Sequence, residues 1–328
     1  MITLDSNQLT IRFPEVHPDA VARISFQRTL RIPDDGNDYP LPPGMGTFPL
    51  HHVEDHRAKL PETWPGHGGI FLPMYQSEAL WINIDGGPHD YPIALQIAAG
   101  KINAVNGEPW QEEMQFDPQG YVVTGQQPWL DGFCVEKGKI RQFVAAPLGE
   151  GETVEEQLTG EAEFGGIQIK ALPLKAKVYR KLYRDMPELY SLSAPDMVMS
   201  NPGISAEMGL GMGGSMKQDI YDDRFAPDDW DTGFSSRCYV HMMNSMAYSK
   251  VTGHLPPHRP YEAADYTNAG LPWFDYYSDR VALEGSKHFK GLKSWKHFHG
   301  DSPESLDKGD IKNIVGLGND PGKGVKVS

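Results

Sequence analysis

The sequence predicts a mainly β protein. The expected form is an antiparallel sandwich or barrel-like core, followed by a less regular C-terminal region containing short helices. Three observations carry this. First, 35 Gly and 27 Pro among 328 residues cut the chain into short pieces, and short pieces favour strands over helices. Second, residues 8–13 (QLTIRF) and 21–32 (VARISFQRTLRI) alternate apolar and polar positions, the period of a half-buried strand. Third, runs of this type recur at intervals of roughly 10 to 18 residues, near the rhythm of a sandwich or barrel.

In chain order, further strands are expected at 69–72, 79–84 and 91–105, the last continuous or broken at Gly100. Others follow at 121–124, 133–136, 139–145, 153–158 and 166–172. Lys137-Gly138 joins 133–136 to 139–145 as a hairpin. A second hairpin is expected between 153–158 and 166–172. The strands from 69 to 172 read as sequential antiparallel neighbours. After Pro173 the texture changes. A short helix is expected within 175–192, an irregular packed stretch from 186 to 216, a strand at 237–243 and a helical turn at 245–251. Phe289, Leu292, Trp295 and Phe298 recur every third position among lysines, which predicts an amphipathic helix over 287–299. The chain therefore divides into a β-rich core, 1–173, and a wrapping region, 174–328, that is not an independent domain.

Charge narrows the partners. With 30 basic and 44 acidic side chains the net charge is −14, which disfavours nucleic acid and anionic membrane surfaces. The charge is also uneven. Residues 108–163 hold 12 acids and 3 bases, whereas 169–184 hold 6 bases and no acid. Such patches can attract each other between copies of the chain. Two cysteines, Cys134 and Cys238, are too few for a disulfide framework or a cysteine zinc site. No apolar run is long enough for a membrane helix, so no membrane insertion is expected. The first residues lack the features of a secretory leader, and the expectation is a cytoplasmic protein.

Residues 50–69, LHHVEDHRAKLPETWPGHGG, pose the sharpest chemical question. His52 and His56 have the H-x-x-x-H spacing of two zinc ligands on one helix face, and His67 is a third candidate, with His89 behind it. Pro49 and Pro61 bracket the segment, and the carboxylate order of a HExxH motif is missing. A polar loop is the expectation, with zinc or another divalent metal as the alternative. Gly209, Gly211 and Gly214 satisfy G-x-G-x-x-G, but no strand–helix unit surrounds them. Close packing around Gly and Met is expected there instead. Cys238 and His241, three apart on a strand, face opposite sides and make no dyad. Asp222, Asp223, Asp228, Asp229 and Asp231 crowd one loop without EF-hand spacing. Trp129 and Asp131, and then Trp273, Phe274, Asp275, Tyr276 and Tyr277, set aromatic rings beside carboxylates. Sugar sites and interface anchors both use that combination.

The segments PWLDG, IRQFVAAPLG, VEEQLTG and GGIQI, and beyond them MGLGMGGSMKQDIY and AGLPWFDYY, resemble a family of soluble proteins without an established activity. The resemblance implies one shared fold and transfers no site. The functional expectation is a non-catalytic binding or structural protein acting through homo-oligomeric assembly, its partner being itself. One alternative is a metal-dependent hydrolase built on the histidine loop. The other is a carbohydrate-binding protein using the Trp/Tyr-rich stretches.

Overall fold

A computed structural model describes residues 1–86, 90–182, 207–256, 259–261, 265, 273–277, 281–300 and 314–318, with only the backbone for 274–277 and 314–318. The chain is mainly antiparallel β, as its punctuation predicts. One large sheet contains β1 (Ile2–Asp5), β2 (Gln8–Arg12), β3 (Val21–Thr29), β4 (Asp38–Tyr39), β5 (His51–His52), β6 (Ile70–Met74) and β7 (Ala79–Asp85). It continues with β8 (Ile93–Ala99), β9 (Ile102–Asn103), β10 (Val122–Val123), β11 (Trp129–Leu130), β12 (Gly132–Glu136) and β13 (Lys139–Pro147). The last members are β14 (Ile167–Pro173), β15 (Glu207–Lys217) and β16 (Ser236–Asn244).

The main path runs β1-β2-β3-β7-β13-β15-β16-β14-β8-β10. The two halves of this path join where Glu207 and Met208 of β15 pair with Met243 and Met242 of β16. Inward residues of both halves, such as Ile24, Phe26 and Ile82 from one and Leu95, Ile97 and Ile169 from the other, belong to one hydrophobic core. β3 and β7 show how alternation builds it. Ile24, Phe26, Leu80, Ile82 and Ile84 are sealed inside, and Arg23, Gln27, Trp81, Asn83 and Asp85 point the other way.

Pairing is less sequential than expected over residues 69–172. β7 lies between β3 and β13, β8 lies between β14 and β10, and β6 runs parallel to β16. Strands from both sides of residue 173 share this sheet, with β15 and β16 at its middle. The Gly-Met run is therefore strand rather than irregular chain, at least from Glu207 onward; residues 186–206 fall outside the described ones. Its glycines serve close approach. A Cβ on Gly214 would stand 2.3 Å from the carbonyl oxygen of Pro33.

Two further expectations are corrected. Residues 153–158 do not form a strand or its hairpin. Val154–Thr159 is a helix, α1, because Thr153 and Glu156 close a capping box that satisfies the free amides of its first turn. The predicted helix over 287–299 is two short pieces, a 3-10 turn at Lys287–Phe289 and a helix, α2, at Trp295–His299. Gly291, at φ 83°, breaks the run between them.

Those pieces belong to a strap, residues 281–300, laid along the sheet. Phe289 enters the core 5.2 Å from Phe133. Lys293 exchanges two hydrogen bonds with Gln157, at 2.9 and 2.6 Å. The Trp295 ring is covered by Arg31 at 3.8 Å. The strap also meets the acidic stretch, His288 at Glu108 (3.0 Å) and His299 at Glu152 (2.7 Å). Elsewhere Glu112 pairs with Arg237, and Glu161 and Glu163 pair with Lys101. Much of the acidic stretch is thus answered within the chain.

Beyond the large sheet stands a separate ribbon of two parallel strands, β17 (Trp273–Tyr277) and β18 (Ile314–Gly318).

Candidate functional site

The histidine run splits between two neighbourhoods. His51 and His52 form β5, against β6, and Glu54–Lys59 is a 3-10 turn, so His52 and His56 do not share the helix face that their spacing suggests. His51 stacks on Phe71 at 5.3 Å, and its Nε2 lies 2.6 Å from the Tyr248 hydroxyl. Its ring lies 5.5 Å from that of His56 and 6.3 Å from that of His254. Burial, then the neighbouring His56 and His254, hold the His51 imidazole below its ordinary pKa. His67 lies elsewhere, stacked on Tyr239 at 4.9 Å. Among the described residues no group of three or more His, Cys, Asp or Glu side chains is placed to hold a metal ion. His89 lies outside the described residues.

His67 is part of a column of rings and cations beside β16. Arg237 sits over both Trp110 (5.2 Å) and Tyr239 (4.4 Å), and Tyr239 stacks on His67. His67 meets Phe164 at 5.2 Å, and Lys101 lies over Phe164 at 4.6 Å. Behind the column His241 stacks on Trp64 at 4.4 Å, and its Nε2–H donates to the Gly68 carbonyl at 3.0 Å. Burial drives the His241 imidazole down to about 4, so it is neutral. Each ring of the column already has a partner inside the chain, so the arrangement ties three loops to the sheet.

The aromatic–carboxylate candidates also separate. Trp273 is 2% exposed and belongs to the core. The side chains of Phe274, Asp275, Tyr276 and Tyr277, expected beside carboxylates as a sugar site or interface anchor, lie outside what is described. Asp131 is buried, its backbone N–H and one carboxylate oxygen bound to the Gln218 amide. Burial pushes its carboxyl up to about 8, against the pull of Gln218. The acidic loop is likewise pinned: Asp223 Oδ2 accepts from the Tyr121 hydroxyl (2.7 Å) and the Trp230 indole (2.9 Å).

Trp129 is partly buried on β11, packs against the core and meets Trp81 of β7 edge to face, rings 6.2 Å apart at 61°. Both stand on the outward face of β2-β3-β7-β11. The register sets Gln27 opposite Trp81, Ser25 opposite Asn83, Asn83 opposite Trp129, and Arg23 opposite Asp85. The polar groups hold one another in place. Gln27 donates to Ser25 (3.1 Å), Asn83 donates to Asp85 (2.6 Å), and Gln8 donates to the other Asp85 oxygen. Trp81, Asn83 and Gln27 were not singled out in the sequence. The period-two pattern assigns them to the outer face, but only the fold of β11 onto β7 brings Trp129 beside them.

Among the described residues no helix is long and apolar enough to cross a membrane. No protein-family model, curated protein or solved structure matches the chain.

Proposed function

We propose that the chain is a non-catalytic binding protein that works as a homo-oligomer, its copies joined through the C-terminal ribbon. The observation that carries this is the pairing of β17 with β18 apart from the large sheet. An isolated two-stranded ribbon is marginal in water, and parallel ladders are ordinarily flanked by further strands. Among the described residues no third strand pairs with it. Its open edges are templates for another chain. A two-fold axis beside one edge would set identical strands antiparallel and make a four-stranded sheet from two copies. Buried Trp273 anchors one end of β17 to the core.

Charge attraction between copies supports the assembly less than composition suggests, because Glu108, Glu112, Glu152, Glu161 and Glu163 have partners in their own chain. Assembly through strand pairing persists in high salt. Light scattering of the full chain at low and at molar salt is the test. A multiple of the monomer mass in both is expected; a monomer mass at working concentration overturns the proposal.

A further inference from the structure

We infer that the chain carries an acid-released clasp. Residues 51–68 and the helix Ser245–Thr252 close together over a satellite core, and protonation of the imidazoles packed among them opens this unit while the large sheet stays folded. This goes beyond the proposed assembly and does not depend on it.

The satellite core is separate from the main one. Val53, Leu60 and Trp64 from the first segment, and Tyr248 and Val251 from the helix, close on Phe71 of β6. The contacts that hold the two pieces down are short-range. β5 gives two ladder positions against β6, and the turn Glu54–Lys59 has no side-chain cap. Lys59 Nζ donates to the Val251 carbonyl at 3.2 Å, and the Trp64 indole donates to Glu207 Oε2 at 3.2 Å. The first segment ends at Gly68 and Gly69, at φ 66° and 92°, a backbone region that glycine enters without strain. A small core with a sparse backbone ladder belongs to the low-stability end of a fold, where local opening occurs.

Histidine is concentrated here. His51, His56, His67, His241 and His254, five of the chain's 12, stand around this core. His51 lies between His56 and His254 and stacks on Phe71. Trp64 links Phe71 to His241, and His67 lies 6.2 Å beyond His241. Imidazoles gain charge in mild acid. A charge on His51 is opposed first by burial and then by His56 and His254; a charge on His241 is opposed first by burial and then by His67. Opening the clasp returns both rings to water and separates them from their like neighbours. It also lifts Trp64 off His241, the ring that the closed form seals most completely.

The other charged groups of the unit do not cancel this. Asp55 favours a charged His51, but it is exposed, so solvent and salt weaken it. Glu54 is paired with Arg57 at 3.3 Å. The Gly68 carbonyl favours a charged His241, and burial outweighs it. Lys59 and Lys250 add positive charge to the two closing pieces, with His52 and Glu62 at the exposed rim. On the β16 side Arg237 lies over Tyr239, which stacks on His67, and brings a fixed cation. Glu207, on β15, is engaged by the Trp64 indole, a bond that opening exchanges for water.

Hydrogen exchange of the full chain is the test, read by mass spectrometry at about pH 7.5 and about pH 5.5 and corrected for the intrinsic effect of pH. Exchange in residues 53–67 and 245–252 should rise about tenfold on acidification, while β3, β7 and β13 keep their rates. About tenfold is what one imidazole contributes when pH is taken about one unit below its ordinary 6.5 and the closed ring, at about 4, stays neutral. The double variant His51→Gln with His241→Gln, its fold checked by circular dichroism at the higher pH, should lose the acid response. His17→Gln should keep it, because that ring stacks on Tyr91 in the main core. An unchanged rate in the two segments of the parent, an equal rise in the sheet strands, or a folded double variant with the parent's response would each overturn the inference. The parent's own exchange pattern decides the matter even where the double variant does not fold.

Discussion

Arg28 and Glu78 form an ion pair inside the core, their side chains 2% and 1% exposed. Arg28 Nε donates to Glu78 Oε1 at 2.7 Å, and Glu78 Oε2 accepts the Tyr75 N–H at 3.0 Å. The guanidinium also lies 5.6 Å from the Phe48 ring centre and 5.0 Å from that of Tyr261. Burial pushes the Glu78 carboxyl up, against the pull of Arg28 and the Tyr75 amide.

Removing one partner strands the other charge. Glu78→Gln should therefore cost roughly 3 to 5 kcal/mol, whereas replacing both by apolar residues, Arg28→Met with Glu78→Leu, should cost less than the single change. Urea denaturation of the three variants decides it. A single variant within about 0.5 kcal/mol of the parent, the range of ordinary surface changes, refutes the charge argument.

His241 makes stability fall in acid. The folded imidazole stays neutral down to about 4, whereas an ordinary imidazole titrates at 6.5. Between those values the unfolded chain binds the extra proton. The penalty is absent above the upper value, grows as pH drops through the window and levels off below the lower one. Its size is roughly 3 kcal/mol. His241→Gln keeps a donor for Gly68 without titrating, and its stability should be flatter over this range in parallel urea curves.

Asp131 acts in the opposite direction. Its carboxyl is held at about 8 against an ordinary value of 3.8. The folded state keeps a proton that the unfolded chain releases, so stability declines as pH rises through this window. Asp131→Asn should match the parent near the lower value and surpass it at the upper. Equal melting temperatures across the whole range would show that the carboxyl is not protonated in the fold.

Both thiols are free and buried, and burial pushes each up to about 12. Neither Cys134 nor Cys238 should react with an aromatic disulfide reagent at neutral pH, while denatured protein should release two equivalents. Rapid native labelling would mean that β12 or β16 opens readily.

Local pattern revealed the strands with clean alternation. β3, β7 and the β12–β13 hairpin can be read from period-two apolar positions and the Lys137-Gly138 turn. α1 was equally legible in principle, since Thr153 and Glu156 spell a capping box, but its apolar content fits a strand just as well. β15 was hidden because glycines carry no side-chain period; its place in the sheet depends on close contacts with β13, Pro33 and Thr153. The candidate site was half visible. Trp129 stands out by its neighbours in sequence, but its neighbours in space, Trp81 and Asn83, are 48 and 46 positions earlier and arrive through strand pairing alone.

The central position of β15 and β16 has a consequence for synthesis on the ribosome. β13 and β14 leave the exit tunnel long before residues 207–244, which must lie against them. Until then each offers an unsatisfied backbone edge and a bare apolar surface, the state in which nascent chains associate wrongly. Contacts this distant along the chain also close slowly. A nascent chain stalled after β14 would be a client for chaperones rather than a folded half, and the protein becomes self-sufficient only when its last third is made.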